Sequence, residues 1–321
     1  MTSAKKRMES NLFLGIDTSC YTSSIACVKQ HDIICDKRIL LSVGDGERGL
    51  RQSDAVFQHT RNLSYIVRSA LDEIDPGMIK AVGVSSCPSG RPNSYMPVFL
   101  SGKTVAEAIA ASLRVPIRYW THQQGHIRAA LHGNEQLIGN EFIAFHLSGG
   151  TSDLLRVGSD FSIEKVGGSS DINAGQLVDR IGVRLGLRFP AGRQLEQLAS
   201  GVVQDNKYKL PSSVKGLSCS FSGIETKAAA MIDAGAPYEQ VAASVYDCLA
   251  RTLAKLIINS LECFQISSFL LAGGVASSLI LNRMLRERLR NSGVRLFFAE
   301  PKLASDNAVG IALLTGDLFE N

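Results

Sequence analysis

The chain carries one short pattern twice: an apolar strand, a tight turn of Gly, Ser, Thr and Asp, and a second apolar strand. The first copy runs from Leu12 to Val28 around Asp17-Thr-Ser-Cys20-Tyr21-Thr22, and the second from Phe142 to Val157 around Ser148-Gly149-Gly150-Thr151-Ser152-Asp153. A turn rich in backbone N–H groups and small hydroxyls, exposed between buried strands, suits the cradling of phosphate oxygens. Its duplication implies two similar lobes facing one another across a nucleotide. Taken singly, each turn also fits an ordinary β-hairpin.

The segments around the two hairpins repeat as well. Ile33 to Leu41 reads as a third strand, and a polar loop from Glu47 to Ser53 leads into a helix from Asp54, with Val56, Phe57, Leu63, Ile66, Val67 and Leu71 on its apolar stripe. Lys80 to Ser85 is a buried strand, Cys87 to Ser94 a loop, Val98 to Leu113 a small-residue helix and Ile117 to Trp120 a strand. The second half restarts with strands at Phe142 to Leu147, Asp153 to Val157 and Phe161 to Val166, then a helix from Gly175 to Leu187. Pro211 to Ser220 reads as a loop and Pro237 to Phe264 as a long amphipathic helix. The strand Ser268 to Ala272 ends in Gly273-Gly274-Val275-Ala276-Ser277-Ser278 and a helix; Val294 to Phe298 is the last strand and Asn307 to Leu318 the closing helix.

Duplicated βββαβα units define an α/β chain of the two-lobed actin-like ATPase fold, shared by actin, sugar kinases and Hsp70. The expected N-terminal lobe spans 1–120 with the closing helix at 306–321, and the C-terminal lobe spans 121–305. The Gly273 turn follows a strand and opens a helix, so its N–H groups suit the adenosine end of a nucleotide. A dinucleotide-binding fold is excluded, because Gly15-Ile-Asp17-Thr does not supply Gly-x-Gly-x-x-Gly after the first strand.

Bulk properties narrow the class further. The chain has 321 residues, 45% hydrophobic and 20% charged, enough for two ordinary domains. Met1 to Ser10 is a polar tail carrying Lys5, Lys6 and Arg7, not a signal peptide. No apolar run approaches the roughly 18 residues of a membrane span. The seven cysteines lack a Cys-x-x-Cys pair and read as reduced thiols of a cytoplasmic protein. A formal charge of +4 permits an RNA partner without requiring one.

The metal chemistry sits in Thr121-His122-Gln-Gln-Gly-His126. Residues i and i+4 stack on one helix face, the spacing that grips a single ion. The same pair also fits two histidines capping or packing at a lobe junction. Asp306, at the entrance to the closing helix, is a candidate third ligand. A metalloprotease of the His-Glu-x-x-His type is excluded, since Gln123 stands where the general base would be and cannot take a proton.

In this order the motifs resemble the tRNA N6-adenosine threonylcarbamoyltransferase family, formerly called O-sialoglycoprotein endopeptidases. The resemblance covers nearly the whole chain. It rests on Gly15-Ile-Asp17-Thr-Ser-Cys20, His122-x-x-x-His126, Leu147-Ser148-Gly149-Gly150, Ala174-Gly175-x-x-x-Asp179-Arg180 and Gly186-Leu-Arg-Phe-Pro190-Ala-Gly192-x-x-Leu195-Glu196. Ser220-Phe221-Ser222-Gly223, Gly273-Gly274-Val275-Ala276 and Asp306-Asn307 complete the set. It implies one divalent metal ion, iron or zinc, held by His122, His126 and Asp306. It further implies threonylcarbamoyl-AMP as acyl-adenylate donor, adenosine N6 of tRNA as acceptor, and partner subunits of a modification complex. His146, Leu147, Ser148, Gly149 and Gly150 would line the adenylate or an ATP-type nucleotide. Asp179 would accept from the ribose hydroxyls with Gly192 and Glu196 close by, and Gly273, Gly274 and Ser278 would hold the adenine or phosphate side. No catalytic acid or base is assigned.

The chain also departs from the family. Tyr21 and Thr22 replace two acids of the first turn, where a positioned acid or base is worth roughly 10²- to 10⁴-fold in rate. Thr151-Ser152-Asp153 stands for His-Thr-Gln, and Ser277-Ser278 for Ala-Asn. Arg51-Gln-Ser-Asp54-Ala-Val-Phe-Gln-His59 occupies the region of a missing Gly-Gly-Val-Val-Pro-Glu. The pattern is that of a divergent member. A non-catalytic nucleotide-binding partner subunit is the alternative, and a small-molecule transferase or kinase using Asp17 and Asp153 is a third reading that leaves the histidine pair without a task.

Overall fold

The computed structural model describes residues 11–19, 21–44, 50–90 and 94–319. The N-terminal tail with Lys5, Lys6 and Arg7, Cys20 of the first turn, the start of the polar loop at Glu47, and residues 91–93 lie outside the described residues.

The chain divides into two compact units, one formed by the residues up to Ala129 together with those from Asp306, the other by Ala130–Ser305. The first opens with the strands β1 (Leu12–Asp17), β2 (Thr22–Lys29) and β3 (Asp32–Leu40), followed by helix α1 (Gln52–Leu71). Strand β4 (Ile79–Cys87), helix α2 (Phe99–Leu113), strand β5 (Ile117–Thr121) and helix α3 (His122–Ala130) follow. The second unit holds β6 (Phe142–Leu147), β7 (Ser152–Val157), β8 (Ile163–Ser169), α4 (Ala174–Arg184) and α5 (Gly192–Ala199). Then come β9 (Ser213–Lys215), β10 (Ser218–Ser220), α6 (Ser222–Asp233), α7 (Tyr238–Phe264), β11 (Ser268–Ala272), α8 (Leu279–Leu289) and β12 (Arg295–Phe298). Helix α9 (Val309–Asp317) returns the chain to the first unit.

The two sheets share one topology. In the first unit the order is β3-β2-β1-β4-β5, with an antiparallel meander β1–β2–β3 and parallel neighbours β4 and β5. In the second, β8-β7-β6-β11-β12 repeats that order and sense, extended beyond β8 by β10 and β9. Strands β1 and β6 are therefore central, and their near-continuous burial matches strands covered on both faces. The core of the first unit gathers Leu14, Ile16, Ile25, Val82 and Val84 with Leu63 and Ile66 of α1. That of the second packs Phe145, Leu154 and Phe269 against Leu177, Val245 and Leu249.

Two glycines set how α9 lies in the first unit. Gly15 of β1 and Gly83 of β4 are register partners. A Cβ on Gly15 would fall 2.5 Å from the Ala308 carbonyl oxygen, and one on Gly83 would fall 2.0 Å from Thr315 Oγ1. The sheet is thus smooth under α9, and Trp120 Nε1 donates to Thr315 Oγ1 at 3.0 Å.

The structure corrects some expectations in the second unit. The stretch Pro211 to Ser220 is not a plain loop. It carries the hairpin β9–β10, turned through Gly216 at φ +57° and Leu217, and its three-residue strands are too short for a periodicity to register. Helices α5 and α6 are further elements, beyond those that the periodicity predicts. Helix α4 stops at Arg184 and not Leu187, because Gly186 takes φ +81° and the Leu187 amide turns back to the Gly182 carbonyl.

Helix α6 has no capping side chain of its own, and Asp171 supplies one from a distant loop. Its carboxylate accepts from the Phe221 amide at 2.8 Å, the Ser222 amide at 3.0 Å, and the Ser220 and Ser222 hydroxyls at 2.5 Å each. Partial burial pushes the carboxyl up, but these donors outweigh it and hold it below its ordinary value of 3.8. Replacing Asp171 by Ala should therefore destabilise the protein by about 1–2 kcal/mol at neutral pH, measured by denaturant unfolding. A depressed carboxyl stabilises fully above its unfolded value, so the gap between wild type and variant should narrow as the pH falls below about 4.

Candidate functional site

Strand β5 hands over to α3 without a loop. Thr121 and Gln124 bond reciprocally, the Gln124 amide to Thr121 Oγ1 at 3.0 Å and the Thr121 amide to Gln124 Oε1 at 2.9 Å. This Thr-x-x-Gln capping box fixes the first turn of α3 on the end of the sheet. His122 and His126 then project from one face, their rings 4.3 Å apart and both buried. Asp306 arrives from the segment ahead of α9, its Oδ1 3.2 Å from His126 Nε2 and 3.5 Å from His122 Nε2.

The donor set fits a metal ion. One atom from each of the three residues lies within 4.8 Å of the others. Ligands about 2.0–2.1 Å from a tetrahedral ion stand about 3.3 Å from one another, close to the two Asp306 separations. Electrostatics favour positive charge here. Burial opposes charge on His122, yet the charge and hydrogen bond of Asp17, joined by Asp306, push it up to about 10. Burial and the neighbouring His122 charge keep His126 below its ordinary value. Burial raises the Asp306 carboxyl, but the hydrogen bonds from both imidazoles outweigh it and hold it below the carboxylate range. The turn after β1 closes over the same ring: His122 Nδ1 lies 2.8 Å from Asp17 Oδ2, and His122 Nε2 3.3 Å from Ser19 Oγ.

What lets Asp306 reach the histidines is a close crossing of α3 and α9. A Cβ on Gly310 would sit 1.8 Å from the Gly125 carbonyl oxygen, and one on Gly125 would sit 2.8 Å from Ile311 Cδ1. Backbone meets backbone there, with His122 and His126 on either side of Gly125 and Asp306 four residues before Gly310. Farther along, Arg128 ties the two helices again through Asp317, Nε to Oδ2 at 2.7 Å and Nη2 to Oδ1 at 2.9 Å.

The remaining expected residues form two groups in the second unit. His146 and Leu147 end the buried strand β6, and Ser148-Gly149-Gly150-Thr151 makes the turn to β7, with the Ser148 amide bonded to the Thr151 carbonyl at 2.8 Å. The Gly273 turn packs against this hairpin: Gly273 has φ +95°, and its Cβ would fall 2.4 Å from the Leu147 carbonyl oxygen. That oxygen accepts from the Val275 amide at 3.1 Å. Gly175, at the start of α4, approaches Ser148 and Gly149 as closely. Gly149, Gly150 and Gly274 are exposed.

The second group is built around α5. Asp179 Oδ1 accepts from the Ala191 amide at 2.8 Å, and burial pushes this carboxyl up. Gly192 receives the Tyr246 hydroxyl on its carbonyl oxygen at 3.0 Å. Glu196 Oε1 accepts from Ser278 Oγ at 2.9 Å and from the Ile280 amide at 3.0 Å, so Glu196 and Ser278 together cap α8.

The chain is similar in sequence and in fold to known proteins. The model of the family described as tRNA N6-adenosine threonylcarbamoyltransferase matches residues 47–313. The chain belongs to that family. A curated relative of the same name from Archaeoglobus fulgidus is 28% identical over 301 residues, covering 93% of this chain and 88% of the relative. Among solved structures, HypF of T. kodakarensis superposes with a TM-score of 0.65 at 15% identity, over 97% of this chain and 48% of that one. A ROK family glucokinase from Streptomyces griseus, solved with glucose and AMPPNP, gives 0.56 at 15% identity, over 96% of this chain and 100% of that one. These likenesses establish the actin-like ATPase fold.

Set beside the family motifs, the sequence left some partners out of view. Tyr246 carries no signal as a site neighbour, and nothing in the first-turn motif pairs Ser19 with His122, since each reaches its partner only through the fold. Asp17 and Asp153, the carboxylates a kinase would need, are committed elsewhere: Asp17 to His122 and Asp153 to an ion pair with Lys165. The helix crossing yields a direct test. A Gly310→Ala substitution should cost roughly 1–3 kcal/mol of stability by overpacking. Gly223→Ala, where an added Cβ meets nothing within 4 Å, should cost nothing measurable in the same denaturant titration.

Proposed function

We propose that this protein transfers a threonylcarbamoyl group from threonylcarbamoyl-AMP to N6 of adenosine in tRNA, using one divalent ion, iron or zinc, held by His122, His126 and Asp306. The observation that carries the reading is the meeting of two buried imidazoles from the middle of the chain with one carboxylate from its last part, in a member of this family. When bound, such an ion polarises an oxygen of the acyl-adenylate and helps to orient it.

The chain's own residues supply the rest of the proposal. The exposed glycines Gly149, Gly150 and Gly274, at turns that follow buried strands, would offer backbone N–H groups to adenylate oxygens, that of Gly150 in exchange for its 3.3 Å bond to Ser148 Oγ. Asp179, fixed through the Ala191 amide, retains acceptor capacity for a ribose hydroxyl. Glu196 and Ser278 hold the start of α8 and so frame the Gly273 turn. His146 and Leu147 give that turn a rigid neighbour through the Leu147 carbonyl. Partner subunits would complete the acceptor site, and the reaction would take place in the cytoplasm; no helix among the described residues is long and apolar enough to cross a membrane.

Tyr21 and Thr22, standing where the resemblance places acids, favour one second reading: a nucleotide-binding partner subunit without transfer chemistry. One experiment separates them. The metal-loaded protein, its candidate partner subunits, threonylcarbamoyl-AMP and unmodified tRNA are incubated, and the digested nucleosides are resolved by mass spectrometry. N6-threonylcarbamoyladenosine should appear. It should fall with Asp306→Ala by more than the roughly 100-fold that marks the upper range for outer-sphere changes. Metal analysis should give one ion per chain for wild type and none for His126→Ala. Metal binding without product under every partner combination would establish the second reading.

A further inference from the structure

The two nitrogens of His122 face different partners. Nε2 looks toward Ser19 Oγ at 3.3 Å and Asp306 Oδ1 at 3.5 Å, the latter shared with His126. Nδ1 looks the opposite way, to Asp17 Oδ2 at 2.8 Å. Because the two ring nitrogens diverge, whatever holds Nδ1 stands behind the ring as seen from the ligand cluster. Asp17 is accordingly outside the ligand group of His122, His126 and Asp306.

Asp17 is also among the most firmly held residues of the first unit. It is the last residue of the central strand β1, fully buried and in register with Ser24 of β2. Ser24 Oγ donates to its carbonyl oxygen at 3.1 Å, and its second carboxylate oxygen, Oδ1, accepts from the Ser19 amide at 2.7 Å. The next residue is pinned as well: Thr18 Oγ1 donates to the Val98 carbonyl at 2.9 Å and accepts from the Gly102 amide at 3.1 Å. The carboxylate therefore meets the imidazole from a fixed place.

We propose that Asp17 is a positioning residue for the metal site: it holds the Nδ1–H of His122, fixes the plane of the ring, and so turns the Nε2 lone pair toward the ion shared with His126 and Asp306. The proposal rests on the metal reading given above. Its physical basis is the choice between the two neutral forms of the ring. With the proton on Nδ1, the bond to Asp17 is charge-assisted and Nε2 is free to donate its lone pair. With the proton on Nε2, a lone pair would face a carboxylate across 2.8 Å and a proton would occupy the ligand position. A carboxylate behind a ligating imidazole also makes the ring a stronger donor. Asp17 touches neither substrate nor ion in this scheme and acts only through His122.

The test is a double-mutant cycle on metal affinity. Purified wild type, Asp17→Ala, His122→Ala and the double variant are stripped of metal and titrated with Zn²⁺ in competition with a chromophoric chelator. Circular dichroism confirms that each is folded. Asp17→Ala should weaken Zn²⁺ binding roughly 10- to 100-fold. In the His122→Ala background, where the weaker residual Zn²⁺ affinity of the two remaining ligands is read at higher metal concentration, the same substitution should cost several-fold less, since the route through the ring is gone. Asp17→Asn, which keeps shape and an acceptor oxygen, should give a smaller loss and replaces Asp17→Ala in the cycle should that variant fail to fold.

Equal losses in both backgrounds would show a general structural effect and overturn the proposal, as would wild-type affinity in a folded Asp17→Ala protein. If His122→Ala itself binds Zn²⁺ as wild type does, the metal reading falls and the role of Asp17 with it. That outcome is told apart from the others by the single His122 variant alone.

Discussion

The crossing of α3 and α9 is the contact on which the first unit's candidate site depends. Two helices can bring their backbones together only where both lack side chains, and Gly125 and Gly310 provide that place. His122 and His126 flank the crossing point on α3, and Asp306 meets them from the segment just ahead of α9. The same helix α9 lies on a strip of sheet made smooth by Gly15 and Gly83, so its distance from the sheet and its distance from α3 are set together. Arg128 and Asp317 then secure the far end of the pair. A carboxylate from the last part of the chain is thereby delivered to imidazoles near its middle by packing alone.

The second unit repeats the strand order of the first but uses it differently. Its hairpin turn, the Gly273 turn and the start of α4 pack through backbone atoms, leaving Gly149, Gly150 and Gly274 exposed. Three carboxylates in this unit serve as anchors. Asp171 caps α6, Glu196 caps α8 and Asp179 holds the segment that opens α5. Carboxylates anchored in this way commit acceptor capacity to backbone amides, which strengthens those contacts through the negative charge.

Much of the architecture was legible in the residues because the strands are strongly apolar and punctuated by glycine. The meander β1–β3, the strand β11 and the helix α7 fall close to where periodicity places them. Legibility failed where elements were short or their limits were set by other parts of the chain. The β9–β10 hairpin has strands of three residues each, below the length at which alternation means anything. Helix α6 takes its cap from Asp171, about fifty residues earlier in the chain, so no local signal marks its start.

By itself the sequence determined the chemistry available: two imidazoles at i and i+4, a carboxylate at the entrance of a closing helix, and glycine turns after apolar strands. Those features are local, set by helical spacing and by which residues tolerate a given backbone shape. Only the tertiary structure decided which of them meet. His126 and Asp306 are 180 residues apart, and His122 and Asp17 are 105 apart. Their distances follow from sheet order and from how closely two helices can approach, and neither is encoded in any short stretch of chain.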